Sequence, residues 1–292
     1  MQHIAIVGYG KMGIEIENQL KKTLTADTQV GDRYSVVDTE KLKDSSFYYH
    51  FSSIESFAKW KQSQGNLKET VCIDFTQPDQ ALQNIKLYAE YQLNAVIGTT
   101  GWYDELPEVE KIVKESGIGL VYSTNYSTSV QVMMLMNKIL AALTYDDGYE
   151  AGVYEEHHRA KKDAPSGTAT TLADDIIEAQ RQVFDYYSSL TGLAIDSEYR
   201  QIGYVYGTTS KVPNNVISIA ANRVYNPGRH EITAAQPSTG DSIKLIHQAG
   251  GRTAFAKGAV DAANWVREKS GIYNYAKIIQ DGFKDAVKQV IK

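Results

Sequence analysis

The chain has almost no cysteine, no run of basic residues and no long apolar run. Its one cysteine among 292 residues, Cys72, excludes an intramolecular disulfide and argues against a cysteine-based metal site. The net charge of −5, without any cluster of Lys or Arg, argues against nucleic acid or an anionic membrane as a partner. No apolar stretch approaches membrane-spanning length, and the first apolar strand begins almost at Met1, leaving no room for a signal peptide. We therefore expect a cytoplasmic protein.

The chain has the length and apolar content of two domains. With 292 residues, of which 42% are hydrophobic, it can bury a large core. Apolar strands alternate with helical stretches over residues 4–122, which predicts an α/β domain with a doubly wound parallel sheet. The pattern then changes to a long apolar helix, one further helix and mostly alternating β segments over residues 203–248, which predicts an α+β second domain. The expected domains are residues 1–127 together with 253–292, and residues 128–252.

The first residues, HIAIVGYGKMG, place a glycine motif directly after a short strand. An apolar segment over residues 4–7 runs into a G-x-G-x-x-G pattern, which is followed by a helix with Ile16 and Leu20 on one face. In that context the glycines make a tight turn, let a pyrophosphate approach the backbone and allow helix and strand to pack closely. We therefore predict a Rossmann-like dinucleotide site, the alternative being a purely structural glycine turn. The residues expected to bind the cofactor here are Gly8, Gly10, Lys11, Met12 and Gly13.

Asp38 ends the second predicted strand and bears on the choice of cofactor. A carboxylate at this place accepts hydrogen bonds from the ribose hydroxyls of NAD and repels the 2′-phosphate of NADP. Arg33, Lys41 and Lys43 lie nearby in sequence and can offset that repulsion. The cofactor is therefore predicted to be NADH or NADPH, with NADH favoured.

Residues 155–169, EEHHRAKKDAPSGTA, combine histidines, lysines and a helix start in one short segment. The side chains of His157, His158 and Lys161 can supply cationic donors. A helix that begins after Ser166 offers free backbone N–H groups, and Gly167 lets a ligand reach them. The alternative is a plain helix cap beside a solvated basic turn. The ordered cluster predicts a site for a small dianion.

This segment resembles the signature E-x-H-H-x-x-K-x-D-A-P-S-G-T-A of the 4-hydroxy-tetrahydrodipicolinate (dihydrodipicolinate) reductases, a lysine-pathway family. Four more segments resemble family patterns: D-F-T-x-P at 74–78, G-T-T-G at 98–101, A-N-F/Y-S at 124–127 and R-x-x-F-x-x-G-A at 252–259. Ser123 and Thr124 depart from the small apolar residues of the family. By the resemblance, further cofactor contacts come from Phe75, Thr76, Gly98, Thr99, Thr100, Ser123, Asn125 and Tyr126.

Two segments match the family poorly. Residues 183–202 have no clear counterpart in its patterns. Residues 223–230, RVYNPGRH, resemble the family turn R-x-G-x-x-G-x-H, but Tyr225 stands at the first glycine and the spacing is one residue shorter. We therefore assign no role to Arg223 or His230 from the sequence.

The resemblance implies reduction of an unsaturated cyclic imine with two carboxylates to tetrahydrodipicolinate. His157 is the expected general acid, because imidazole titrates nearest neutral pH, and Lys161 the expected second catalytic group. A carboxylate clamp is expected from His158, Ser166, Gly167 and Thr168, with Arg252 orienting His157. The family also implies a homotetramer.

Three alternatives to this reading stay open. One is another NAD(P)-dependent amino-acid or imine dehydrogenase on the same scaffold, and one is a catalytically silent NAD-binding regulator. The third concerns His157 and His158 alone, since adjacent histidines can bind a metal. We predict no metal, because no third ligand stands at the required spacing in the sequence.

Overall fold

The computed structural model describes residues 3–22, 34–38, 49–65, 67–191, 203–206 and 216–290. The chain divides into two compact units, Met1–Thr128 with Arg252–Lys292 and Ser129–Gly251. The first unit is therefore discontinuous in sequence, and its last part follows the whole of the second unit.

Strands and helices are numbered along the chain. The described strands are β1 (His3–Val7), β2 (Tyr34–Val37), β3 (His50–Phe51), β4 (Thr70–Asp74), β5 (Asn94–Ile97), β6 (Gly119–Tyr122), β7 (Glu150–His158), β8 (Gly203–Tyr206), β9 (Val216–Val224), β10 (Arg229–Ala235), β11 (Ser242–Gln248) and β12 (Gly271–Asn274). The described helices are α1 (Lys11–Lys22), α2 (Ile54–Ser63), α3 (Pro78–Glu90), α4 (Leu106–Ser116), α5 (Thr128–Leu143), α6 (Gly167–Thr191), α7 (Thr253–Val266) and α8 (Tyr275–Val290).

The first unit is built on a parallel sheet of seven described strands in the order β12-β6-β5-β4-β1-β2-β3. Its two faces carry separate cores. Ile4 and Ile6 of β1 pack in one core with α1 and α7, whereas Ala5 and Val7 pack in the other with α2, α3 and α4. This alternation follows from the two-residue period of a strand. The predicted doubly wound α/β sheet is confirmed.

The second unit has a mixed sheet of five described strands in the order β11-β10-β7-β9-β8. The β10 strand runs antiparallel to β7 and β11, while β9 runs parallel to β7 and β8. The core of this unit joins the sheet to α5 and α6, with Met133 and Met134 from α5 and Leu172 and Ile176 from α6. The predicted α+β character of the second unit is confirmed.

The strand order of the first unit determines which loops meet at one edge of its sheet. In the first unit β1 lies between β4 and β2, and Val7 is in register with both Asp74 and Val37. The loops after these three strands therefore open at one edge of the sheet, where ligands bind in doubly wound folds. No helix in the described part of the chain is both long and apolar enough to cross a membrane.

Candidate active site

The glycine turn after β1 has the packing that a dinucleotide site requires. Gly8 has φ +84°, and a Cβ at Gly13 would lie 2.4 Å from the carbonyl oxygen of Gly8, so a side chain there would force the backbone to shift. A Cβ at Gly10, by contrast, would meet no heavy atom of the described chain within 4 Å. Two of the glycines therefore serve the close approach of backbone to backbone, and Gly10 leaves open space beside the turn.

Asp38 follows β2 and is tied to the same turn. Its Oδ2 accepts a hydrogen bond of 2.6 Å from the backbone N–H of Tyr9, and its own N–H donates to the carbonyl of Phe51 at 3.0 Å. The carboxylate is thus held beside the glycines at the carboxyl end of the sheet. The cations weighed against it in the sequence, Arg33, Lys41 and Lys43, lie outside the described residues.

A cavity of about 600 Å³ opens at this edge of the first unit, a size that suits a cofactor. Five of the predicted cofactor residues line it, namely Gly8, Gly10, Asp38, Phe75 and Thr76. Sequence reasoning missed the part of the lining that comes from α2, α3 and the residues just before them. The missed lining residues include Ser52, Ser53, Gln77, Gln80 and Asn84.

Asp74 at the end of β4 was also missed, although the D-F-T segment contains it. Its side chain is fully buried and accepts hydrogen bonds from the N–H and hydroxyl of Thr76, the amide of Asn84 and the hydroxyl of Tyr88. A buried carboxylate with this many donors is a structural anchor. Asp74 therefore fixes the Thr76 loop against the cavity.

The remaining predicted cofactor residues are not among those that line the cavity. Thr99 donates from its hydroxyl to the carbonyl of Thr76, and a Cβ at Gly98 would clash with the Phe75 ring at 2.1 Å. Tyr126 is buried, and its hydroxyl donates to the carbonyl of Ile97. Met12 packs on the core and Gly13 lies beneath the turn, while Lys11 and Thr100 are exposed. Ser123 and Asn125 bond within their own turn.

Substitutions at Gly10 and Gly13 provide a matched test of the cofactor site. Gly10→Ala is expected to leave the melting temperature unchanged, because its Cβ meets open space, and to raise the cofactor dissociation constant about 10-fold through steric conflict with the ligand. Gly13→Ala is expected to lower the unfolding free energy by about 1–3 kcal/mol through overpacking. Thermal unfolding and calorimetric titration with NADH measure the two effects. Equal cofactor affinity in Gly10→Ala and the unmodified protein would contradict the placement.

Glu155 organises the signature segment in the second unit. The inter-strand register puts Glu155 of β7 opposite His230 of β10, and His157 opposite Arg223 of β9. The carboxylate is fully buried, accepts hydrogen bonds of 3.0 Å from Arg223 and from the N–H of Ser166, and lies 2.9 Å from Nδ1 of His157. Burial raises the pKa of Glu155, but His157, Ser166 and Arg223 outweigh it and lower that pKa to about 2. Glu155 is therefore an anion at neutral pH.

His230 completes the cluster as a neutral group. Its ring centroid lies 5.1 Å from that of His157, and its Nε2 is 3.2 Å from the hydroxyl of Ser166. Burial, reinforced by the nearby His157, lowers the pKa of His230 to about 3. Both His230 and Arg223, to which the sequence assigned no role, thus belong to the site. Residues 223–230, which contain both side chains, resemble a turn of the family, but the spacing is one residue shorter. This altered spacing is why the sequence did not assign them a role.

Three of the other predicted substrate residues, Ser166, Gly167 and Thr168, form the start of α6. Ser166 is buried and its hydroxyl accepts the N–H of Ala169, so it caps the helix. A Cβ at Gly167 would meet open space, so the first N–H groups of the helix are approachable. The Lys161 ammonium donates to Asp163 at 2.8 Å and keeps two further N–H donors. Thr168 is buried and His158 is exposed. Arg252 is an exposed residue of the first unit.

The group of side chains that could hold a metal in the structure differs from the adjacent histidine pair considered in the sequence. His157 and His158 alternate along β7, and His158 is exposed, so the adjacent pair does not converge. Instead, Glu155, His157 and His230 each offer a ligand atom, all within 4.8 Å of one another. This grouping is not visible in the sequence, where a third ligand was sought for the adjacent histidines, and the absence of a metal stays a prediction. However, the positive guanidinium of Arg223 already contacts this carboxylate, which opposes the binding of a second cation.

Both halves of the chain match models of one family. The model described as "Dihydrodipicolinate reductase, N-terminus" matches residues 2–126, and the one described as "Dihydrodipicolinate reductase, C-terminus" matches residues 129–279. The chain belongs to the dihydrodipicolinate reductase family.

Individual relatives agree with this assignment. The chain is 31% identical over 285 residues to a 4-hydroxy-tetrahydrodipicolinate reductase of Christiangramia forsetii, covering 97% of this chain and 100% of the relative. It is 36% identical over 214 residues to a reductase of the same name from Methanocaldococcus jannaschii, covering 71% of each. The structure of dipicolinate-bound dihydrodipicolinate reductase from Paenisporosarcina sp. TG-14 has a TM-score of 0.68 at 22% identity, covering 94% of this chain and 97% of that one. This last likeness shows the shared fold.

Proposed function

We propose that the protein reduces the cyclic imine derived from 4-hydroxy-tetrahydrodipicolinate to tetrahydrodipicolinate, with NADH or NADPH as the reductant. The observation that carries the proposal is the cluster of the second unit. There a histidine in contact with a buried carboxylate stands in the same segment as Lys161 and the approachable start of α6. A reductase of a dicarboxylate needs both a proton source and anion-binding groups, and this segment supplies them.

The residues of the first unit fit a dinucleotide. The open space at Gly10, the N-terminus of α1 and the carboxylate of Asp38 would hold the pyrophosphate and the adenosine ribose. When bound, NAD(P)H supplies the hydride for the ring carbon of the unsaturated imine. The protein's own contribution on this side is binding and orientation.

The residues around α6 would bind the substrate carboxylates. Backbone N–H groups that follow Ser166 offer donors at the positive end of the helix dipole, and Gly167 carries no side chain to block them. Lys161 adds a positive charge. The solved relative that binds dipicolinate, a planar ring with two carboxylates, supports this class of ligand.

His157 would supply the proton. Hydride addition leaves negative charge on the ring as an enamine, which must be protonated to give the product. The imidazole of His157 is partly exposed, with 12% of its side chain accessible, so it can exchange a proton with a bound ligand. Lys161 would stabilise the charge as it develops.

A steady-state assay separates this function from the alternatives. Substrate generated freshly in the cuvette is expected to cause loss of NADH or NADPH absorbance that depends on the protein. An amino-acid dehydrogenase would instead reduce NAD(P)⁺ in the presence of an amino acid such as diaminopimelate. A silent regulator would bind the cofactor and turn over neither mixture.

Asp38→Ser tests the proposed preference for NADH. The unmodified protein is expected to show the higher kcat/KM with NADH, because the carboxylate repels a 2′-phosphate. The variant is expected to narrow or reverse that preference by removing the repulsion. Titrations of both cofactors at rising salt test for a compensating lysine, since salt selectively weakens a phosphate-to-lysine contact. A strong preference for NADPH that Asp38→Ser leaves unchanged would show that the acid does not face the ribose.

A homotetramer is the proposed assembly. The edge strand β11 carries Ile243 and Ile246, whose surfaces are 43% and 55% exposed, and an exposed apolar edge strand is a template for pairing with another chain. Analytical ultracentrifugation at micromolar concentration is expected to give the tetramer mass. Ile246→Lys is expected to shift the protein towards smaller species. A stable monomer of the unmodified chain would refute the assembly.

A further inference from the structure

The two carboxylate oxygens of Glu155 have different partners. Oε1 accepts hydrogen bonds from the N–H of Ser166 and from Arg223, both at 3.0 Å. Oε2 lies 2.9 Å from Nδ1 of His157. Because a backbone N–H and a guanidinium can only donate, both hold Oε1 as an acceptor. Oε2 is therefore the oxygen directed to the imidazole.

Gly228 lies beside the opposite edge of the His157 ring. The nearest atoms to a Cβ built at Gly228 are Nε2 of His157 at 3.3 Å and Cδ2 at 3.4 Å. Any side chain at Gly228 would therefore press on the edge of the ring that points away from Glu155. With Nδ1 beside the carboxylate, Nε2 is the nitrogen available to a ligand.

We propose that Glu155 is a positioning residue that holds the Nδ1 proton of His157 and stabilises its imidazolium form, so that Nε2 delivers the proton. The inference rests on the proposed role of His157 as general acid. A carboxylate on one nitrogen of a histidine sets the tautomer and raises the basicity of the other nitrogen. Arg223 moderates this effect, because its charge partly neutralises the same carboxylate.

The other titratable groups of the cluster set the background for His157. His230 on β10 stacks edge-on against His157 and is neutral near pH 7 because burial lowers its pKa to about 3. Lys161 and Asp163 in the loop after β7 pair with each other. His247 on β11 is half-buried, which lowers its pKa. Glu155 is thus the anion in contact with the His157 ring, and Arg223 is the cation in contact with that anion.

Glu155→Gln removes the charge and places a donor where the Oε2 acceptor stands. Ser166 and Arg223 still require an acceptor at the Oε1 position, so the glutamine amide nitrogen takes the place of Oε2 and donates to Nδ1 of His157. In protein labelled with ¹⁵N-histidine, the pKa of His157 is expected to fall by about one unit or more. Its neutral form is expected to change from Nδ1–H to Nε2–H. The matched control is Glu156→Gln, the same change at the next residue of β7, which should leave both readings unaltered.

Arg223→Gln is expected to shift the pKa of His157 in the opposite direction. Removing the cation leaves Glu155 less neutralised, so the pKa of His157 is expected to rise. A purely structural role for the cluster does not predict opposite shifts in the two variants. If Glu155→Gln does not fold, Arg223→Gln decides the matter alone, and an unchanged His157 pKa in it overturns the proposal.

Kinetics of Glu155→Gln supply a second reading. We expect kcat to fall about 10²-fold, as for the loss of an oriented acid, with KM within a few-fold because the Ser166 contact is retained. Normal kcat together with the wild-type tautomer would overturn the proposal. The nuclear magnetic resonance titration needs no turnover, so an inactive unmodified protein would refute the proposed function while leaving the effect of Glu155 on His157 separately measurable.

Discussion

Replacing His157 by glutamine is expected to lower kcat by about 10²-fold or more and to change KM little. The expected split arises because His157 acts on charge that is present only in the transition state. Glutamine is similar in size and polarity but cannot carry a proton at neutral pH. Initial rates over a range of substrate concentrations, with the cofactor saturating, measure both constants.

His158→Gln serves as the comparison on the same strand. His158 is exposed, and its proposed role is to bind a substrate carboxylate. Its replacement is therefore expected to raise KM more than it lowers kcat. Near-normal kcat in His157→Gln would remove His157 from the mechanism, whatever the behaviour of His158→Gln.

Lys161→Ala is the second change with a large expected effect. The ammonium is proposed both to hold a carboxylate in the ground state and to stabilise charge that develops on the ring. Its loss is therefore expected to raise KM and lower kcat together, reducing kcat/KM by about 10³-fold, the scale of losing one oriented charge-stabilising donor. Initial rates over a range of substrate concentrations, with the cofactor saturating, measure kcat and KM of this variant as they do for His157→Gln.

Lys162→Ala is the matched control for this effect. Lys162 is the next residue, carries the same charge and is exposed, so its loss alters the general electrostatics of the loop without removing the proposed contact. It is expected to retain nearly full activity. Equal losses in the two variants would mean that the loop acts through its net charge and that Lys161 has no specific contact with the substrate.

The fold of the first unit could be predicted because its determinants are local. The glycine pattern begins directly after β1 and ends inside the first turn of α1, so the turn and its ligand space are encoded within eleven residues. The position of Asp38 at the end of β2 was predictable for the same reason, because the apolar strand directly precedes it in sequence. The switch to an α+β second unit was visible for a similar reason, since periodicity is read within one segment.

Contacts that depend on strand register could not be predicted. Arg223 and His230 reach Glu155 because β7 pairs with β9 on one side and β10 on the other, and no local pattern encodes that order. Asp74 was missed because its partners Asn84 and Tyr88 come from the following helix. The motif at Tyr126 did not reveal that its side chain is part of the core.

The most direct test of the central claim follows a labelled hydride into the product. The protein is incubated with NADH that carries deuterium at both C4 positions and with freshly generated substrate, and the product is analysed by mass spectrometry. The account predicts tetrahydrodipicolinate containing one deuterium per molecule, formed in step with cofactor oxidation and almost absent with His157→Gln. Unlabelled product, or no product formed in proportion to the cofactor oxidised, would contradict it.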